Sequence, residues 1–496
     1  MSLMGSIDQS LILRFAALLH DIGKFWQGAG EKGSHQELSA KFVRQYLPES
    51  LEKASFLAGH HDPSQYMGEE YKLLKTLVVA DWLSSGERRE IGEGEEGRRK
   101  ETPMESLFPK ISLSIDENKK LIKKYYPPQP LSLAGDFFPL ERNEIKADLT
   151  EYYKKLWNDF VAEIEKIKSL DHESYFTTLY YLLKKYMSFI PSAVWKSEPD
   201  ISLFDHSKIT CAIAECLYKN ADETYLDNII AAMNKMFHNG TLTENEESAL
   251  NEEKFLLIGG DISGVQKFIY SITAKGAAKA LKGRSFYLQL LGDAIAKYIL
   301  RELGLSVANL LYSAGGHFYI VAPMGSKTDN IYENIEKILM EIHDGELYLA
   351  TAEIPVKAID FIGENFVKKW DEIGEQLGEA KKKKFSRVLN YDMFFPKEKF
   401  KGVCNSCGMP TPYELIEEEG VTKCVLCKSF EELTEKIARK GEIKARYIVQ
   451  TTPTGVEKEG TWEWNLSRFG IKYDLVDTLR NIKDKSIVIN SMIRTS

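Results

Sequence analysis

Four of the chain's six cysteines fall within 24 residues: Cys404 and Cys407, then Cys424 and Cys427 after sixteen intervening residues. Two Cys-x-x-Cys pairs so spaced make two short knuckles, whose thiolates close tetrahedrally on one zinc ion and leave no open position for chemistry. A redox dithiol is the alternative, but it needs only one such pair beside a βαβ unit. Glu417 to Glu419 stand between the pairs and suit the tip of a hairpin. A protein of an oxidising compartment spreads disulfide cysteines through its fold. Here the remaining two, Cys211 and Cys216, lie in an apolar, helix-like segment, so the expectation is a cytoplasmic protein with a structural zinc.

One knuckle cannot organise 496 residues, a length that predicts about three domains. The formal charge of -8 argues against a protein that coats nucleic acid, while leaving room for a local basic groove. No run of 18 apolar residues exists, and the apolar stretch Leu11 to Leu19 carries Arg14 and leads into His20-Asp21. It is therefore read as neither signal peptide nor membrane span, and no membrane partner is expected. Apolar residues recur at helical spacing from residue 11 to about 85, and the aromatic-rich stretch 151–187 and residues 209–218 also read as helical. The prolines around 126–130 mark a candidate domain boundary. From Phe255 the texture changes: a strand ends at Gly259-Gly260-Asp261, a helical stretch follows, and 309–313 and 317–321 read as strands around a Gly-Gly turn. The fold class expected is therefore multidomain α+β.

Four of the nine histidines fall within 42 residues, His20, His35, His60 and His61, together with Asp21 and Asp81. Neighbouring helical side chains diverge by about 100°, so a His-Asp pair can serve two adjacent metal ions through a bridging carboxylate. Imidazole with carboxylate suits Mn, Fe, Co or Ni. Lys24, one turn beyond His20, could touch the phosphate such metals would hold; alone it would read as a surface lysine. The order His20-Asp21-Ile-Gly-Lys24, His35, His60-His61, Asp81, with Ala80-Asp81-Trp-Leu-Ser-Ser-Gly-Glu-Arg88, resembles the HD superfamily of metal-dependent phosphohydrolases. That resemblance implies catalytic roles for His20, Asp21 and Lys24, and a two-metal site held by His20, Asp21, His35, His60, His61 and Asp81. One departure stands out: HD enzymes usually carry a histidine ligand before the His-Asp pair, and none precedes His20. A permuted domain or a depleted site would fit.

Gly259-Gly260-Asp261-Ile-Ser263-Gly264 closes a strand and opens a helix, so its amides could hold a phosphate, with Ser263 as the helix cap. Upstream lies Ile201-Ser-Leu-Phe-Asp205-His206-Ser-Lys208, downstream Lys282-Gly-Arg284-Ser285 and Ala314-Gly315-Gly316-His317-Phe318. In this order, with the His/Asp front and the four cysteines, the segments resemble the large signature subunit of type III-A (Csm-type) CRISPR effector complexes. The resemblance implies an HD nuclease for single-stranded DNA at 1–110, a mostly helical connector at 111–250, and a ferredoxin-like, cyclase-type first palm at 251–400. A zinc ribbon at 401–430 and the start of an incomplete second palm at 431–496 follow. It implies ATP at Gly260, Asp261, Ser263 and Gly264 in the full family context. The partners implied are CRISPR RNA, target RNA, a small helical subunit and other effector subunits. In the family the second palm carries Gly-Gly-Asp-Asp and makes cyclic oligoadenylate. That motif is absent here, and His317 stands where a carboxylate would bind metal, so a C-terminally truncated chain without cyclase activity is expected. Residues 381–401 hold eight basic residues against two acidic ones, interleaved with Phe385, Tyr391, Phe394 and Phe395, which suits either a nucleic-acid surface or a solvated charged face. Two other functions stay open: an HD-inactive scaffold that binds RNA and subunits, and a free-standing HD nucleotide phosphohydrolase.

Overall fold

The computed structural model describes residues 8–59, 71–86, 98–111, 122–132, 138–195, 197–271, 277–388, 400–418, 420–439, 442–443, 445, 447–477 and 487–489. They form two compact units: 1–255 with 356–367, and 256–355 with 368–495.

The first unit is helical. Its elements are α1 (Gln9–Leu19), α2 (Ile22–Gly28), α3 (His35–Tyr46), α4 (Lys53–Gly59), α5 (Tyr71–Ser84), α6 (Thr150–Ile164), α7 (His172–Met187), α8 (Leu203–Asn220), α9 (Glu223–Phe237) and α10 (Glu244–Asn251). Side-chain caps set several of the starts. Ser34 and Glu37 form a reciprocal capping box on α3, Asp171 accepts from the amides of Glu173 and Ser174 on α7, and Ser202 accepts from Asp205 N on α8. Asp171 is why the aromatic-rich stretch 151–187 resolves into two helices.

The expected connector is not a separate body. α6 packs on α2, and α8 packs on α1 and α5, so 150–220 and the front helices share one core. Phe15, Phe25, Phe42, Tyr153, Phe160, Tyr175 and Phe176 are fully buried there, and Trp26 stacks on Trp157 with centroids 4.9 Å apart. Packing of large aromatic surfaces from both segments explains why neither closes a core alone. The candidate boundary at 126–130 is likewise tied inward: β1 (Met104–Glu105) pairs with β2 (Tyr125–Tyr126), and Leu131 N donates to Lys185 O.

The second unit mixes sheet and helix. β3 (Glu253–Ser263), α11 (Val265–Tyr270), α12 (Ala277–Glu302), β4 (Leu310–Ala314), β5 (His317–Pro323), α13 (Asp329–His343) and β6 (Tyr348–Lys357) build a four-stranded sheet of order β4-β5-β3-β6. β4 and β5 are antiparallel, with Ala314 opposite His317 across Gly315-Gly316, both left-handed as a tight hairpin requires. Phe318, Ile320, Ile258, Leu291, Ile295, Ile335 and Leu339 form the centre of its core. After α14 (Phe366–Ala380) come two small hairpins, β7 (Gly402–Val403) with β8 (Pro410–Thr411) and β9 (Leu415–Glu418) with β10 (Val421–Cys424), and then α15 (Val425–Ile437). Farther on, β11 (Ala438–Arg439) pairs with β12 (Glu442–Ile443), and β13 (Tyr447–Thr451) lies between β14 (Lys472–Val476) and β15 (Ile487–Ile489). Between β13 and β14 sits α16 (Trp462–Ser467), whose Trp462 is 1 % exposed. No described helix is long and apolar enough to cross a membrane.

Candidate metal centres

His20 ends α1 and Asp21 starts α2, so the chain bends at the His-Asp pair. Both side chains are buried. Gly23 makes the next contact possible: a Cβ there would lie 2.0 Å from the carbonyl oxygen of His35, so only glycine lets α2 meet the start of α3. His35 Nε2 thereby comes 3.5 Å from Asp21 Oδ1. Asp81, on α5, lies 3.5 Å from His20 Nε2. Lys24 forms an ion pair with Asp21. Of the residues singled out by sequence, the structure brings His20, Asp21, Lys24, His35 and Asp81 together; His60 and His61 lie outside the described residues.

A further ligand comes from α8. His206 Nε2 is 3.3 Å from Asp21 Oδ2, 3.1 Å from Asp81 Oδ1 and 3.2 Å from His20 Nε2. His20, Asp21 and His206 each offer an atom within 4.8 Å of the others'. No histidine precedes His20 in the sequence, and the ring that stands beside it comes from 186 residues later. In the sequence His206 stands within Ile201-Ser-Leu-Phe-Asp205-His206-Ser-Lys208, and nothing local marks it as a metal-binding residue.

The hydrogen bonds fix both rings. His20 Nδ1 is 2.8 Å from the carbonyl of Ala17, which can only accept, so Nδ1 carries a proton and Nε2 is turned to the centre. His206 Nδ1 lies 3.1 Å from Ser84 Oγ, whose own proton is donated to Asp81 O. That hydroxyl accepts from Nδ1–H, and the second Nε2 also faces the centre. Two imidazole nitrogens and two carboxylates converging within hydrogen-bond distance make a donor set that fits a divalent metal. Burial disfavours protonated His20, but Asp21 and Asp81 together raise its pKa. Burial likewise opposes ionisation of Asp21 and Asp81; Lys24, His20 and His206 hold Asp21 well below the usual carboxylate range, and the two histidines do the same to Asp81. The floor is closed while the rim is open: the side chains of His35 and Asp81 are 29 % and 21 % exposed.

In the second unit Cys404, Cys407, Cys424 and Cys427 place all four sulfurs within 4.8 Å of one another. β9 and β10 pair Leu415 with Cys424, and α15 begins at the next residue, so Cys424 and Cys427 stand at the strand-to-helix corner. Cys424 N donates to Cys404 Sγ at 3.2 Å and Cys427 N to Cys424 Sγ at 3.4 Å, contacts that favour thiolates over thiols. The donor set fits a closed tetrahedral zinc site.

Gly259-Gly260-Asp261 does not end the strand as expected: β3 runs on through Ser263, so the segment is strand and not a phosphate-holding turn. Gly264, at φ +92°, is the cap residue of α11 and no side chain caps that helix; Ser263 Oγ instead faces Asp261 Oδ1 at 3.5 Å. A Cβ on Gly264 would lie 2.1 Å from the carbonyl of Glu346, and Gly260 lies against the ring of Phe318. These glycines are required by packing. Asp261, 4 % exposed, is held by His317 Nε2 at 2.6 Å and by Lys381. In the described part of the basic, aromatic stretch the cations Lys381 to Lys384 and Arg387 are exposed while Phe385 is buried; Arg387 pairs with Glu336 at 2.8 Å, and Lys384 donates to Gly345 O. Tyr391, Phe394 and Phe395 lie outside the described residues.

Residues 2–86 match the family model of the HD domain, and residues 254–399 that of Csm1 subunit domain B. The first match ends before His206. Among curated proteins the chain is similar to the CRISPR system single-strand-specific deoxyribonuclease Cas10/Csm1 (subtype III-A) of Methanocaldococcus jannaschii, 33% identical over 90% of this chain and 57% of the relative. The protein of the same name from Enterococcus italicus is 28% identical over 77% of this chain and 51% of its own length. In fold the chain is similar to Csm1 in the Csm1-Csm4 subcomplex of the type III-A CRISPR-Csm interference complex, with a TM-score of 0.62 and 23% identity, covering 94% of this chain and 55% of that one. A Csm1-Csm4 cassette in complex with one ATP gives a TM-score of 0.55 at 22% identity, covering 94% and 55%. The chain therefore spans little more than half the length of these relatives.

Proposed function

We propose, from homology to subtype III-A Cas10/Csm1 proteins along nine-tenths of the chain, that this protein is the nuclease-bearing part of a type III-A CRISPR large subunit and cuts single-stranded DNA. The observation that carries the reading is the convergence of His20 and His206 Nε2 on Asp21 and Asp81. His20, Asp21, His206 and Asp81 would hold divalent Mn, Ni, Co or Fe, with His35 and the His60–His61 pair as candidates for a second ion. Bound there, the metal would supply a lowered water pKa and charge neutralisation at the phosphate. The chain's own part is positional. The Nδ1 hydrogen bonds aim both imidazoles, and the buried floor excludes bulk water. Lys24, drawn from Asp21, would meet a non-bridging oxygen at the rim. A flexible single strand can lower one phosphodiester into a centre this enclosed, whereas a duplex backbone is stiffer.

The β-α-β-β-α-β connectivity of the second unit supports a ferredoxin-like palm, with the four cysteines as a zinc ribbon beyond it. Its Gly-Gly-Asp segment offers half a nucleotide site. Among the described residues its strand end offers one carboxylate, Asp261, and that is already paired to His317 and Lys381, whereas two magnesium ions call for paired free carboxylates. CRISPR RNA, target RNA, a small helical subunit and other effector subunits are its partners in this reading.

The test is cleavage of labelled single-stranded and duplex DNA by the full chain in Mn or Ni, with ATP added in parallel. Single-strand degradation without cyclic oligoadenylate is expected. Cutting that persists at the wild-type rate in a His20→Ala, Asp21→Ala double variant would move the nuclease elsewhere. Cyclic product would overturn the reading of Asp261. Metal analysis that finds zinc alone, with no cutting, would favour the scaffold.

A further inference from the structure

Arg284 is a cation buried to 3 % exposure on α12, inside the second unit. Helices α12 and α15 meet there without a gap: a Cβ on Gly283 would lie 2.0 Å from the carbonyl oxygen of Phe430. The guanidinium lies against the rings of Phe268 and Phe430, which meet edge-on, with its carbon 5.1 and 5.9 Å from their centroids. Among the described residues no carboxylate forms an ion pair with it; Glu346 senses its charge without pairing. Its hydrogen bonds go elsewhere. Nη1 donates to the carbonyl of Phe268 and, at 3.0 Å, to Ser271 Oγ, and Nη2 donates to Cys427 Sγ at 3.3 Å.

A buried charge needs a counter-charge, and a carbonyl, a hydroxyl and a neutral thiol supply none. Four thiolates around one zinc ion carry a net charge of minus two, and Arg284 would touch one of those sulfurs. We infer that Arg284 is the positioning residue of the four-cysteine centre, stabilising its thiolates through Cys427 while its other arm ties that centre to α11. Because α11 follows β3, the strand bearing Asp261, across the single cap residue Gly264, the metal site and the segment leaving that strand are braced by one side chain. The knuckle is then a brace for the end of β3 as well as a local staple.

The inference rests on the zinc reading of the four cysteines, and the experiment separates the two. Zinc content and the rate of zinc transfer to a chromogenic chelator are measured on the full chain, its Arg284→Met variant and its Arg284→Lys variant. Cobalt-substituted samples report the thiolate-to-metal charge-transfer band, and hydrogen exchange reports residues 265–271 with and without zinc. Wild type should carry one zinc. Arg284→Met should hold it 10- to 100-fold more weakly and shift the cobalt band, Arg284→Lys should fall between, and zinc removal from wild type should speed exchange over 265–271. Wild type without zinc would sink the reading of the cysteines. Wild type with one zinc, but transfer, band and exchange unchanged, would leave that reading standing and sink the role of Arg284. If Arg284→Met fails to fold, Arg284→Lys and the wild-type exchange comparison decide.

Discussion

The two candidate metal centres are built in opposite ways. The cysteine centre takes all its sulfurs from residues 404–427, on two short hairpins and the first turn of a helix. The histidine-aspartate centre takes His20 and Asp21 from one bend, His35 and Asp81 from two further helices, and His206 from a helix 186 residues away in sequence. A local site needs only the right turns. A dispersed one needs a finished core, here the aromatic packing of α6 against α2 and of α7 against α1, with α8 packed on α1 and α5. A spacing motif is therefore a strong signal for the first kind of centre and an incomplete one for the second.

The contrast breaks most sharply if the chain is divided. A 1–110 fragment lacks His206 and leaves Phe15, Phe25 and Phe42 without partners from α6 and α7, so it should neither fold cooperatively nor cut DNA. A 400–437 peptide should still bind one metal ion, checked by tetrahedral cobalt absorption. Cutting by the fragment would show that the dispersed centre is more local than its geometry implies. Within the full chain, His206→Ala should lower single-strand cleavage as severely as His20→Ala, by at least about a thousandfold or about 4 kcal/mol of barrier, with zinc content unchanged. A His206→Ala chain with near-wild-type cleavage would remove α8 from the site.

A smaller effect concerns pH and the second unit. His343 is buried, and burial, helped by the charge of Arg284, pushes its pKa from 6.5 down to about 3. Asn465 donates to Tyr287 Oη, leaving that hydroxyl to donate to His343 Nε2, 2.8 Å away, and keep the ring neutral. The unfolded chain takes up a proton that the folded ring refuses. Stability is thus full above the ordinary histidine value and falls as pH drops from 6.5 towards 3, by about 1.4 kcal/mol per unit at most. Melting temperatures across that window should show the loss, and His343→Gln should flatten it; an equal slope in the variant would assign the loss to other groups. The smallest effect belongs to Ser84. Ser84→Ala removes the acceptor that orients His206, and should weaken metal binding at the histidine-aspartate centre by about tenfold while leaving zinc in place. Titration calorimetry on both centres reads the difference.

What the sequence determined by itself was chemistry carried by spacing. The cysteine pairs, the His-Asp bend and the β4–β5 hairpin at Gly315-Gly316 are all properties of a few adjacent residues, where backbone geometry alone fixes which atoms meet. Tertiary structure alone decided the rest. It brought His206 beside His20, Asp21 and Asp81 and packed α6 and α8 into the first core. It also turned the glycines of the Gly-Gly-Asp segment into packing contacts and brought His317 and Lys381 onto Asp261. None of those meetings leaves a mark at short range, because each arises only when the burial of aromatic and apolar surface brings helices and strands distant in sequence into contact.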